Sequence, residues 1–222
     1  MIKMKRIINP RFDATLAKIV SYITFDGHLA QDLKCFYLSS SDESALDDFK
    51  KLAYKKFKVS GRLEEGMGYG KSYKYRVFSR DVCRFLESAG APKGDKVKKA
   101  FLVPSWIKEN KEFARGYVRV AFDCEGSIWF EGKAKIRFGV CKIEELIDNG
   151  FQFTDGIKSI LSQFGIESTK TWLMKGNLRK DGKTTKGLYF KIRQNSITRF
   201  SKEIGFSNRF KKDRLSNLNG ID

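Results

Sequence analysis

Apolar residues recur at helical spacing through Leu16, Ile19, Val20 and Ile23, with Pro10 and Asp13 as start signals and Asp26-Gly27 as the stop. That pattern predicts a helix from about Asp13 to Phe25 whose glycine supplies a left-handed cap. A strand reads over Leu33–Ser39, a helix from Ser41 or Ser44 to Phe57, and strands near Lys58–Glu64 and Lys71–Phe78 joined through the turn GMGYG. A helix capped by Ser79 ends at Gly90. The order then returns. A helix runs from about Lys111 to Cys124, strands follow near Ser127–Phe130 and Lys133–Cys141, and a helix covers roughly Thr154–Phe164. Strands near Thr169–Leu178 and Gly187–Arg193 flank the polar turn RKDGKTT, and a last helix starts at Asn195 or Ser196 and ends at Gly205.

The recurrence is an internal repeat. FDG at Phe25–Gly27 is echoed by CEG at Cys124–Gly126, about 99 residues on, and RFLESAG at Arg84–Gly90 by RFSKEIG at Arg199–Gly205, about 115 residues on. The second copy therefore carries roughly 16 extra residues, expected in Glu144–Thr154 and the hairpin near Lys180. The expected division is a first half at 1–90, a linker at 91–110 and a second half at 111–222.

Composition sharpens the picture. With 44 Lys+Arg against 26 Asp+Glu the chain carries a formal charge of +18, and 41% hydrophobic residues are enough for a packed core. A field of that sign suits a polyanionic partner, nucleic acid first. No run of about 18 apolar residues offers a membrane span, and the N-terminal MIKMKRIINPRF lacks the apolar stretch of a secretory signal. Cys35, Cys83, Cys124 and Cys141 form no CxxC pair and the chain has one histidine, His28, so free thiols are expected rather than a zinc site.

An acid followed by glycine at a helix end has a chemical reading. The last carbonyls of a helix are unpaired and carry partial negative charge, so Asp26 and Glu125 stand where a carboxylate is electrostatically wrong for stability and right for a divalent cation. Small residues upstream, Ala17 and Ser21 in the first helix and Gly116 and Ala121 in the second, would let the two helices approach and bring both acids to one place. Paired carboxylates with bound metal suit in-line phosphodiester hydrolysis by water. Strand alternation adds a basic surface. Lys133, Lys135 and Arg137 oppose Ala134, Ile136, Phe138 and Val140; Lys191 and Arg193 oppose Leu188, Phe190 and Ile192; Lys74 and Arg76 oppose Tyr73, Tyr75 and Val77. Such side chains can contact phosphates and read guanine edges.

IVSYITFDG (Ile19–Gly27) and FARGYVRVAFDCEGSI (Phe113–Ile128) resemble the two signature helices of the LAGLIDADG homing endonucleases, in a single-chain, two-motif form. The connector GAPKGDKVKKAFLVPSWIKENKEF is similar to the segment that precedes the second signature in single-chain members of that family, and IGFSNRFKKDRL (Ile204–Leu215) to their C-terminal end, so the likeness covers essentially the whole chain. The resemblance implies an α+β fold: a pseudo-twofold duplication of an αββαββα half, with two antiparallel four-stranded sheets forming a DNA-binding saddle. It implies Asp26 and Glu125 as metal ligands and catalytic acids, with the carbonyls of Phe25 and Cys124 as co-ligands. It also implies Lys142, in Cys141-Lys142, as a catalytic cation; the first-half counterpart, near Ser40-Ser41, has no lysine. By alternation Lys142 shares the phase of the apolar face, so it must lie beyond the strand to escape the core. The activity so implied is site-specific hydrolysis of both strands of a long DNA target, leaving 3′ overhangs, by a monomeric, intron-encoded enzyme. The cofactor would be Mg²⁺, with Mn²⁺ or Ca²⁺ able to substitute for binding. The partner would be double-stranded DNA, in the cytoplasm of a prokaryote or an organelle matrix. An RNA maturase acting on its intron RNA, or a non-cleaving DNA-binding protein, are the alternatives.

Overall fold

The computed structural model describes residues 11–66 and 72–216; the start signal at Pro10, the turn residues 67–70 and the expected strand start at Lys71 lie outside the described residues. The first half runs α1 (Ala14–Thr24), β1 (Gly27–Leu29), β2 (Cys35–Ser40), α2 (Glu43–Phe57), β3 (Arg62–Glu65), β4 (Tyr73–Phe78) and α3 (Arg80–Ser88). After a connector with a 3₁₀ turn at Lys96–Lys98 and the short α4 (Ser105–Lys108), the order repeats. It runs α5 (Lys111–Glu125), β5 (Gly126–Glu131), β6 (Lys133–Ile143), α6 (Ile147–Gln163), β7 (Trp172–Leu178), β8 (Thr184–Lys191) and α7 (Ile197–Glu203), followed by α8 (Arg209–Ser216). Each half contributes one four-stranded antiparallel sheet, ordered β1-β2-β4-β3 and β5-β6-β8-β7. This is the α+β duplication that the repeat predicts.

The two acid-bearing helices form the centre. α1 is capped by the Asp13 side chain, which accepts from Leu16 N at 2.8 Å, and all of Leu16, Ala17, Ile19, Val20, Ser21, Tyr22, Ile23 and Thr24 are buried. A helix buried on every side is an interior helix, not an amphipathic surface one. Its neighbour α5 meets it through the small residues: Ser21 Oγ donates to Tyr117 O at 2.7 Å, and a Cβ on Gly116 would come within 3.3 Å of Lys18 Cγ. Leucine-sized side chains there would push the helices apart.

Three expectations are corrected. Gly27 and Gly126 are not left-handed caps: neither has positive φ, and Gly126 sits at φ −78°. They are glycine because a Cβ would strike backbone, Tyr37 O at 2.7 Å for Gly27 and Phe122 O at 2.4 Å for Gly126. α6 begins at Ile147, seven residues before the expected start; Gly150 interrupts the apolar pattern of that stretch and lies where a Cβ would crowd Leu188. β6 continues to Ile143, so Lys142 does not escape the core: it is 1% exposed. β1 went unread because three residues carry no period.

Candidate nucleic-acid interface and carboxylate pair

α1 and α5 end on the same side of the molecule, and Asp26 and Glu125 meet there. Both residues are exposed, and each lines its own cavity, Asp26 on one side and Glu125 on the other. Burial lifts both above the ordinary carboxylate range, and Asp26's charge pushes Glu125 further, to about 7. The thiol of Cys124 and the nearby amines of Lys96 and Lys211 pull Asp26 the other way. The two acids are therefore near enough for the Asp26 charge to act on Glu125.

Two lysines that the sequence reading missed stand over the helix ends. Lys96 Nζ donates to the carbonyls of Ile23 (3.2 Å), Phe25 and Gly27 (2.7 Å), the fan left open at the end of α1. Lys211 Nζ donates to Phe122 O (3.2 Å) and to Asp123 O (2.5 Å) at the end of α5. The Phe25 carbonyl, expected to hold metal, thus accepts from an ammonium. Burial lowers both amines, and Glu125 and Asp26 act to raise them again. The pair was present in the repeat: Lys96 follows Gly90, and Lys211 follows Gly205, by the same six residues.

Lys142 has a different place from the one expected. Its Nζ donates to Lys96 O (2.8 Å) and Lys99 O (2.6 Å) and lies 3.7 Å from the Phe101 ring centroid. Burial and the Lys96 charge lower it to about 8. It holds the connector that carries Lys96. Sheet register places its first-half counterpart at Asp42, one residue beyond the expected Ser40-Ser41, since Gly27 pairs with Leu38 as Gly126 pairs with Phe138. Asp42 Oδ2 accepts from Asn208 Nδ2 at 2.6 Å, on the segment that carries Lys211. Each half thus grips the lysine-bearing segment that follows the other. Asp123 Oδ1, from the second half itself, also holds that segment, accepting from Ser207 N (2.8 Å) and Asn208 N (3.0 Å).

The basic faces fall as alternation predicts. Tyr75, Val77, Ala134, Ile136, Phe138, Leu188 and Phe190 are buried, while Lys74, Arg76, Lys133, Lys135, Arg137 and Lys191 point outward. Aromatic rings interleave with them: Lys74 and Arg76 stand 4.6 and 5.2 Å from the Tyr37 centroid, and Lys191 stands 5.4 and 5.8 Å from Trp129 and Trp172. Arg76 also pairs with Glu64 at 3.2 Å. Arg193 departs from the set. It lies past the end of β8, where it pairs with Glu167 at 3.8 Å. His28 is a strand residue stacked on Tyr37, centroids 5.1 Å apart.

A divalent cation of the Mg²⁺ type takes one or two protein carboxylates and fills its other positions with water and phosphate. Two crowded acids, one of which raises the other's pKa, fit that role, and among the described residues no group of three or more His, Cys, Asp or Glu suits a fully protein-bound metal. No described helix is long and apolar enough to cross a membrane.

No family model matches the chain. It is similar to part of the DNA-directed RNA polymerase subunit Rpo1N of Methanocaldococcus jannaschii, 31% identical over 232 aligned positions that take in 94% of this chain and 17% of that protein. It is also similar to part of the tRNA-splicing ligase RtcB of Methanopyrus kandleri, 29% identical over 215 positions, 86% of this chain and 20% of that protein. The chain spans a fifth or less of the length of these curated relatives. Among solved structures it resembles variants of the homing endonuclease I-DmoI, with TM-score 0.55 and 12% identity over 92% of this chain and 97% of that one. It resembles full-length WhiA from Thermatoga maritima, with TM-score 0.54 and 14% identity over 97% of this chain and 64% of that one. It also resembles the homing endonuclease I-WcaI bound to its DNA recognition sequence, with TM-score 0.50 and 9% identity over 90% and 85%. The N-terminal domain of WhiA is itself a LAGLIDADG domain, so the shared property is the LAGLIDADG fold.

Proposed function

We propose that the chain is a site-specific DNA endonuclease that acts as a monomer, inside the cell, on a long and imperfectly symmetric duplex, and cuts both strands to leave 3′ overhangs. The observation that carries this reading is the convergence of Asp26 and Glu125, one from each repeat, beneath a lysine from each repeat. The sheets' outward cations hold and orient the duplex by its phosphates, and the clustered positive charge draws it in. Asp26 and Glu125 would hold Mg²⁺, which when bound neutralises charge on the scissile phosphate and promotes attack by water. Lys96 and Lys211 cap the helix ends and place positive charge beside the same phosphates, where it stabilises the charge that develops. Similarity to segments of both a polymerase subunit and a tRNA-splicing ligase supports a module carried in different settings rather than a fragment of either activity.

The test is a duplex selected from a random library for binding in Ca²⁺ and then given Mg²⁺. The expected result is cleavage by the wild type, with cleavage lost and binding retained in the Asp26→Asn, Glu125→Gln double variant. Tight binding with no cutting by the wild type in Mg²⁺ or Mn²⁺ would refute the nuclease. It would favour a DNA-binding role, the second reading that the WhiA-like fold supports.

A further inference from the structure

We propose that the two half-sites are unequal by construction: the strand whose scissile phosphate enters the cavity beside Glu125 is cut first, and Arg137 is the residue that contacts that phosphate. This inference rests on the nuclease reading. The duplication is faithful for the acids (Asp26 and Glu125) and for the lysines (Lys96 and Lys211), but not for the walls around them. Strand register sets Tyr37, opposite His28, at the position of Arg137, opposite Ser127, and Asp42 at the position of Lys142. The cavity beside Glu125 is lined by Lys96, Arg137 and Lys142, with no further carboxylate. The cavity beside Asp26 is lined by Asp42, Asp48 and Asp123 against the single cation Lys18. A phosphate is drawn into the first and meets added negative charge in the second.

Arg137 is built for such a contact. Among the described residues its side chain makes no hydrogen bond or ion pair, and its guanidinium lies 4.8 Å from the Tyr189 centroid and 5.6 Å from Trp129. The Tyr189 ring covers two glycines: a Cβ on Gly139 would come 2.2 Å from its Cδ1, and one on Gly187 2.4 Å from its Cε2. The glycines admit the ring and the ring supports the guanidinium, whose planar fork is thereby oriented before DNA arrives. In the other half the equivalent residue is Tyr37, and the Arg76 beside it is tied to Glu64. In the hydrolysis one water adds hydroxide to phosphorus, the P–O3′ bond breaks, and the 3′ oxygen leaves with the remaining proton, giving 5′-phosphate and 3′-hydroxyl. Negative charge grows on the non-bridging oxygens meanwhile, and a cation facing them speeds that strand alone.

The experiment uses the selected duplex with a different fluorophore on each strand. The exposed Cys141, which lines the Glu125 cavity, is disulfide-trapped to a thiol-tethered nucleotide to show which strand lies there. In Mg²⁺ that strand is expected to be nicked first. Arg137→Gln should slow it on the order of 100-fold while sparing the other strand, Arg137→Lys should recover part of the loss, and Tyr37→Arg should speed the lagging strand. Independently of turnover, a neutral methylphosphonate at that scissile position should weaken Ca²⁺-supported binding by the wild type but not by Arg137→Gln. Equal strand rates, the opposite order, or the same methylphosphonate penalty in both proteins would overturn the inference. A wild type that cuts neither strand would refute the nuclease reading instead, and the methylphosphonate comparison would still decide the contact.

Discussion

A carboxylate whose ionised form the fold disfavours leaves two opposite signatures, one in stability and one in ligand binding. Glu125 titrates near 7 in the folded chain against 4.5 as its ordinary value, with Asp26, Lys96 and Lys211 facing it. The folded state therefore binds more protons than the unfolded state between those values, and stability falls as pH rises through that window. Glu125→Gln should melt higher than wild type at pH 8, with the gap closing toward pH 4.5; a gap independent of pH would contradict the shift. Cation binding needs the ionised form, so Mn²⁺ affinity measured by calorimetry should rise from pH 6 to pH 8 in the wild type and rise less in Glu125→Gln, where only Asp26 is left to titrate. The pair of acids was legible at once, because Asp26 and Glu125 recur before a glycine. The reason for that glycine was not, since the backbone atoms it must clear belong to Tyr37 and Phe122 only after folding. Gly27→Ala and Gly126→Ala should each cost about 1–3 kcal/mol in urea unfolding, as overpacking against backbone does.

At the scale of elements, alternation along β6 was the most informative signal. It assigned Lys135 and Arg137 to the outer face and warned that Lys142 shares the inner one, and the longer strand buries Lys142 accordingly. What alternation could not supply was the acceptor set, because Lys96 and Lys99 approach from a connector some 45 residues away in sequence. Lys142 titrates near 8 in the fold against an ordinary 10.5, so the unfolded chain binds more protons between those values and stability should rise with pH across them. Lys142→Met should remove that part of the slope, as read from urea midpoints between pH 7.5 and pH 10. An unchanged slope would place the proton elsewhere. Gly150 hid the first two turns of α6 for a related reason: it makes room for Leu188, and a one-dimensional pattern carries no record of that neighbour.

For the whole molecule, the surplus of 18 positive charges sets how binding responds to salt. Plotted logarithmically, affinity for duplex DNA should fall linearly with salt, by about 0.9 per phosphate neutralised. Lys133→Gln, at an exposed outer-face position, should reduce that slope by about one while leaving sequence preference intact; an unchanged slope would remove Lys133 from the interface. The duplication itself was readable because two kinds of landmark recur, the acid-glycine ends and the R-F-x4-G helices. The cross-grip was not, because it joins Lys142 to the segment after the first half and Asp42 to the segment after the second.

That cross-grip constrains anyone who would build chimeras by recombining halves from different proteins. A seam in the connector carries Lys96 along with the first half but leaves behind the amine that seats its backbone, and a foreign second half offers whatever residue it has at position 142. A functional graft should therefore transplant the gripping residue together with the segment it grips, treating the junction as a matched set rather than as a tether to be shortened or lengthened at will.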